Sequence, residues 1–176
     1  MSDGQGLIII LTGEGKGKTT SAFGMVLRAC GHGLRASVIQ FVKADESGEV
    51  AALSARFPEI ETVRAGLGFV PQPEHPDFAR HKAAAHDGLQ AARGLIRSGR
   101  LDLVVLDEII CAMDLRLLAE SDILELMDEK PARMHLALTG RGATPALVQR
   151  ADLVTEMRCV KHPYDKGIKA APGIEY

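Results

Sequence analysis

Leu7-Ile8-Ile9-Ile10-Leu11-Thr12-Gly13-Glu14-Gly15-Lys16-Gly17-Lys18-Thr19-Thr20 is the stretch from which the rest of the chain can be read. Leu7 to Leu11 is a continuous, largely β-branched apolar run, suited to a strand covered on both faces. Beyond the glycines, Ala22, Met25, Val26 and Ala29 recur at helical spacing, and Gly31-His32-Gly33 ends that helix. A glycine-rich turn between a strand and a helix N-terminus presents backbone N–H groups as a nest for phosphate oxygens. Glycine is required where the chain curls tightly and side chains would block the anion. In this pattern Gly13, Glu14, Gly15, Lys16, Gly17, Lys18, Thr19 and Thr20 form the candidate ATP-binding loop. Lys18 reaches phosphate oxygens and the Thr19 hydroxyl ligates Mg²⁺. The loop departs from the general G-x4-G-K-[ST] pattern, because Thr12 stands where the first glycine belongs and Gly13 leaves three residues before Gly17. It is a residue short, which changes how many phosphates it can wrap. A chance glycine turn is the competing reading, and strand, helix and Gly-Lys-Thr together weigh against it.

The remaining chain alternates apolar runs with helical patterns, the signature of a mostly parallel sheet. Strands are expected at Ala36–Phe41, Glu61–Val63, Leu101–Leu106, Met134–Leu138 and Leu153–Met157. Helices are expected at Val50–Phe57, stopped by Pro58, at Asp77–Arg97, and from a Ser121 cap to Lys130. Thr144-Pro145 starts another, with a capping hydroxyl before proline at the first helical position. Between Arg64 and Pro76, Gly66, Gly68, Pro71, Pro73 and Pro76 make a long irregular loop, a feature more often functional than accidental in a compact domain. No repeat, low-complexity tract or second domain interrupts residues 1–176, read as a single domain.

Bulk properties narrow the function classes. With 176 residues, 46% hydrophobic and 25% charged, the chain can bury a real core and is not disordered. A formal net charge of -2 gives no reason to expect nucleic acid or an anionic membrane as partner. No apolar run approaches the roughly 20 residues that span a bilayer. Met1-Ser2-Asp3-Gly4-Gln5-Gly6 has neither a basic nor an apolar signal segment, so a cytoplasmic protein is expected. Cys30, Cys111 and Cys159 are scattered, with no CxxC spacing, and read as buried small hydrophobes in a reducing compartment.

Leu101-Asp102-Leu103-Val104-Val105-Leu106-Asp107-Glu108 is an apolar strand ending in two carboxylates, at the edge where ligands sit in open α/β sheets. One carboxylate can bind Mg²⁺ directly or through water, and the other can position a group near the phosphates. A helix cap is the plain alternative. Thr139-Gly140-Arg141-Gly142 follows another strand, which brings Arg141 to the same edge. Arginine there can clamp phosphate oxygens bidentately, or simply sit in a surface turn. His75, His81 and His86 lack the i, i+4 spacing of a helical metal site and read as solvated.

These pieces together resemble the P-loop class of ATP:corrinoid adenosyltransferases, nearly end to end. The resemblance is carried by Thr12 to Thr20, Gly31-His32-Gly33-Leu34-Arg35, Gln40-Phe41-Val42-Lys43, Val104 to Glu108 and Leu138 to Ala143. It continues through Ala151 to Arg158, Val160-Lys161-His162-Pro163, Gly167-Ile168-Lys169-Ala170 and Gly173-Ile174-Glu175-Tyr176. The short loop combined with that C-terminal run is the specific part. The resemblance implies a RecA-like P-loop domain of about six mostly parallel strands with helices on both faces, and a homodimer. It implies transfer of the 5′-deoxyadenosyl group of ATP to Co(I) of a corrinoid, with release of triphosphate. By this analogy ATP lies reversed, so that Lys18, Thr19 and Mg²⁺ neutralise the leaving triphosphate, Glu108 with Asp107 holds the metal, and Arg141 contacts phosphates. A flavoprotein-type reductant is a candidate partner.

The family commonly carries Gly-Phe-x-Trp where this chain has Gly68-Phe69-Val70-Pro71, and the chain contains no Trp. Phe69 is the candidate corrinoid contact, with a loop anchor packed on the core as the alternative. Either another side chain takes the lower face of the corrin, or the substrate lacks a coordinated lower base. Longer members also have an N-terminal segment that helps cover the corrin. The same motifs fit a P-loop ATPase or kinase, and the missing tryptophan fits a non-catalytic corrinoid or nucleotide carrier.

Overall fold

A computed structural model describes residues 4–45 and 47–175. The first three residues and Tyr176, the end of the C-terminal motif, lie outside the described residues. The chain runs β1 (Ile8–Thr12), α1 (Lys18–Gly31), β2 (Ala36–Gln40), α2 (Gly48–Arg56), β3 (Glu61–Arg64), α3 (Phe78–Arg97), β4 (Leu103–Asp107), α4 (Ile109–Asp114), α5 (Glu120–Asp128), β5 (His135–Thr139), α6 (Pro145–Arg150) and β6 (Leu153–Glu156). A single 3₁₀ turn, Pro163–Lys166, follows. The six strands form one sheet in the order β3-β2-β4-β5-β1-β6, and every pairing is parallel. This is the α/β architecture expected of a RecA-like P-loop domain.

The continuous apolar runs split into two cores because successive strand side chains point to opposite faces. Ile8 and Ile10 of β1, Val104 and Leu106 of β4, and Leu136 and Leu138 of β5 pack with Leu89, Ile96, Ile110 and Leu126 from α3, α4 and α5. Ile9, Leu11, Val38, Val105 and Ala137 face the other way, onto Phe23 and Val26 of α1 and Val50 and Leu53 of α2. Each fully buried Leu, Ile or Val side chain contributes roughly 1.5–3 kcal/mol of transfer free energy. Both faces of β1, β2 and β4 are therefore committed to packing, and only the strand ends remain for chemistry.

The structure adjusts several expected boundaries. Ser121 does not cap α5: Ala119 occupies the cap position, and its N–H donates to the Asp122 carboxylate at 2.9 Å. An acid three residues into the first turn satisfies an otherwise orphaned donor at less cost than shifting the helix. That helix ends at Asp128, and Lys130 instead folds its ammonium onto the carbonyls of Gly6, Pro131 and Met134. α2 begins earlier than expected, at Gly48, where Ser47 Oγ accepts from Val50 N. The short helix α4, directly after the acidic pair, carries too few residues for a periodic pattern to mark it. Thr144 caps α6 as expected, accepting from Leu147 N. Cys159 is exposed and Cys30 and Cys111 are only partly covered, so the expectation of three buried thiols does not hold.

Candidate nucleotide-binding site

The parallel sheet brings the C-terminal ends of β1, β2, β4 and β5 to one edge, and every chemically marked residue of the sheet lies there. One strand, β5, separates the loop-bearing β1 from the acidic β4. Its last residue, Thr139, fills the space between them.

The loop is shaped from beneath by the end of β6. Gly15 N donates to Met157 O at 2.6 Å, and Met157 N donates to Thr12 O at 2.8 Å. A Cβ on Gly13 would meet Met157 O at 2.5 Å, and one on Gly15 would meet it at 2.7 Å. Gly13 also has a φ of 94°, in the left-handed region. Both glycines are therefore demanded by close backbone approach. Lys18 is buried, and its Nζ donates to Gly13 O at 2.7 Å and Gly15 O at 2.8 Å. Two of an ammonium's three donors thus hold the loop's curl, while the side chain still lines the cavity.

Asp107 is fully buried, and its carboxylate is hydrogen-bonded on both oxygens. Oδ1 accepts from Thr19 Oγ1 and from Thr139 Oγ1, each at 2.8 Å. Oδ2 accepts from Gln40 Nε2 at 3.0 Å and lies 3.5 Å from Lys43 Nζ. Burying a carboxylate is costly unless it is paired and hydrogen-bonded, and this one is both. Thr139 also accepts from Glu108 N at 2.8 Å, which pins Glu108 at a left-handed φ of 62°. Glu108 lines the cavity, yet its Oε2 is buried without a hydrogen-bond partner. Burial, with Glu108 close by, pushes the Cys111 thiol up to about 12.

The two carboxylates thus divide. Asp107 touches Thr19, whereas Glu108 faces the cavity from the turn into α4. Arg141 lies on the cavity rim and pairs with Glu14 at 3.3 Å, both largely exposed. Glu14, Gly15, Lys16, Gly17, Thr19 and Thr20 line the same open cavity, whose volume is about 1760 Å³. Burial works against the Glu49 carboxylate, but hydrogen bonds from its own backbone and Ser47, with the charge of Lys43, hold it below the usual range.

Some participants carried no individual assignment in the sequence. Gln40, Lys43 and Thr139 stand at strand ends on the same edge as Asp107, and that position is the signal that identifies them. The facing wall comes from the C-terminal run, including Cys159, His162, Tyr164, Ile168, Lys169 and Glu175. Lys16 Nζ and Glu175 Oε2 are 3.1 Å apart and clip that run to the loop. Phe69 does not anchor its loop: it is 93% exposed and lies outside the cavity lining. Its neighbours hold the backbone instead, with Gly68 N donating to Val42 O at 2.9 Å. His75 lies 3.9 Å from Asp77, and no cluster of three or more His, Cys, Asp or Glu side chains suited to a metal occurs among the described residues. No helix among them is long and apolar enough to cross a membrane.

The chain is similar to known proteins over nearly its whole length. The family described as ATP:corrinoid adenosyltransferase BtuR/CobO/CobP matches residues 4–176. A protein named corrinoid adenosyltransferase from Sinorhizobium sp is 40% identical over 178 residues, covering 99% of this chain and 82% of its own length. Its namesake from Pseudomonas aeruginosa is also 40% identical, over 99% of this chain and 85% of its own. One from Escherichia coli K12 is 36% identical, over 99% and 87%. On this evidence the chain belongs to the ATP:corrinoid adenosyltransferase family.

Proposed function

We propose that this chain, as a single domain over residues 1–176, transfers the 5′-deoxyadenosyl group of ATP to a corrinoid in cobalamin biosynthesis or salvage. The observation that carries this reading is the joining of the short phosphate loop, through Thr19, to a buried Asp107, with the C-terminal run as the opposite wall of one cavity. The substrate's Co(I) attacks ribose C5′ with its electron pair. The Co–C5′ bond forms, the C5′–O bond breaks, cobalt becomes formally Co(III), and the bonding pair leaves on triphosphate. No general base is needed, because no proton moves at the reacting atoms.

The protein's work is then positioning and charge neutralisation. Loop N–H groups and Lys18 hold the terminal phosphates, with Arg141 reaching them from the rim. Thr19 and Asp107 are hard oxygen donors, and Glu108 adds a buried Oε2 without a hydrogen-bond partner. That set fits Mg²⁺, which takes oxygen ligands and keeps waters and phosphates rather than an all-protein cage. Bound there, Mg²⁺ would supply positive charge to the triphosphate. The exposed Phe69 is available to a corrin ring from outside the nucleotide cavity. This reading includes a homodimeric cytoplasmic enzyme and a flavoprotein-type reductant as the electron source.

The test is incubation with ATP, Mg²⁺ and chemically reduced cobalamin, following the cobalt–carbon bond spectrally and identifying the phosphate product. Adenosylcobalamin with triphosphate is expected. ADP without alkylated corrin would sink the reading in favour of a phosphoryl-transfer enzyme.

A further inference from the structure

An ionised carboxylate offers about four acceptor directions, and three of those of Asp107 hold hydrogen bonds. Thr19 and Thr139 take Oδ1 and Gln40 takes Oδ2, while the Lys43 ammonium stands 3.5 Å from Oδ2 as an ion pair. A cation arriving at this carboxylate must therefore displace one of these neighbours. Thr139 and Gln40 cannot withdraw, being 0% and 1% exposed and held within the sheet edge. Lys43 differs from them. It follows β2 on a flexible four-carbon stem, is 34% exposed, lines the cavity, and also donates weakly to Thr19 Oγ1 at 3.5 Å. It touches two of the proposed metal-site groups, Thr19 and Asp107, and it alone among these four neighbours of Asp107 carries charge. A dication and an ammonium on the same oxygen pair repel each other, so one excludes the other.

We infer that Lys43 is a built-in counter-ion occupying the Thr19–Asp107 pair, which a divalent cation displaces, freeing the ammonium to bind the nucleotide's phosphates in the same cavity. This rests on the proposed Mg²⁺ and ATP site. Its consequence is coupling: metal arrival releases a second phosphate-binding cation beside Lys18, two of whose three donors stay on the loop carbonyls. Buried Asp107 is never left uncompensated, since one cation replaces the other.

The experiment compares wild type with Lys43→Met and Lys43→Arg by Mn²⁺ binding to nucleotide-free protein, read by electron paramagnetic resonance, and by MgATP calorimetry. In K43M, Mn²⁺ alone should bind about tenfold more tightly, because the competing charge is gone, while MgATP should bind several-fold more weakly. K43R keeps the charge and should leave Mn²⁺ binding near wild type. Opposite signs for metal and nucleotide are the signature, since a merely structural lysine would weaken both. Thermal midpoints give a second reading: added Mn²⁺ should raise that of K43M more than that of wild type. A wild-type Mn²⁺·ATP complex with unchanged or weaker metal binding in K43M overturns the role of Lys43 alone. Failure of wild type to form any Mn²⁺·ATP complex overturns the site reading as well.

Discussion

Thr139→Val tests whether the site is a preorganised network or a set of independent contacts. Valine matches threonine in shape, so the fully buried position 139 keeps its packing and loses only a hydroxyl. That hydroxyl donates to Asp107 Oδ1 and accepts from Glu108 N, both at 2.8 Å. Loss of a hydrogen bond to a charged group costs about 1.5–3 kcal/mol, and leaving a donor unsatisfied costs about 1–3 kcal/mol. Asp107 keeps Thr19, Gln40 and Lys43, and Glu108 is partly solvated, so values near the lower ends apply. The expected destabilisation is about 2.5 kcal/mol, a large share of the roughly 5–15 kcal/mol that holds such a domain together. MgATP affinity should fall with it, because the Glu108 backbone loses the contact that holds its left-handed φ. Urea unfolding, with equal m-values as the control for two-state behaviour, gives the number. Thr139→Ser keeps the hydroxyl, and loss of its methyl should cost only about 1 kcal/mol. If T139V unfolds within about 0.5 kcal/mol of wild type, or T139S loses as much as T139V, the network argument is wrong.

Other substitutions probe the loop and its surroundings. Gly15→Ala places a methyl against Met157 O, so the loop must lift off β6; MgATP binding by calorimetry should fall at least tenfold, with a helical circular dichroism spectrum near wild type. Glu175→Gln breaks an ion pair between a half-exposed Lys16 and a largely covered Glu175, so thermal stability should fall by no more than about 1 kcal/mol. With its thiol pushed up to about 12, Cys111 should resist iodoacetamide at pH 8 while exposed Cys159 is alkylated, as peptide mass spectrometry would show. The sign follows: the folded state retains the Cys111 proton more firmly than the unfolded chain, so its contribution to stability is present below pH 9 and lost as pH rises toward about 12.

The strand–loop–helix at the start, the alternation behind it and the two acids after β4 were legible because each is local. Hydrophobic run length, glycine placement and capping chemistry act over a few residues, and all six strands were readable from them. Where expectation slipped, a neighbour supplied what local pattern could not: Asp122 captured the cap expected of Ser121, and α4 was too short to show a period. The resemblance paired Asp107 with Glu108 as metal-site residues, but only three-dimensional placement could separate their roles. Asp107 closes on Thr19 because β4 lies one strand from β1, and Thr139 of the intervening β5 bridges the gap.

By itself, then, the sequence determined a parallel α/β sheet and a phosphate loop one residue short. It did not say why that loop takes its shape. Its curl is held from beneath by Met157, more than a hundred residues away, and from within by Lys18. Tertiary structure also decided that the C-terminal run is a wall of the cavity beside the loop, and that Lys43 pairs with Asp107. The physical reason is common to these cases. A buried charge or a close backbone approach is satisfied by whatever the fold brings within about 3–3.5 Å, and distance along the chain carries no information about that.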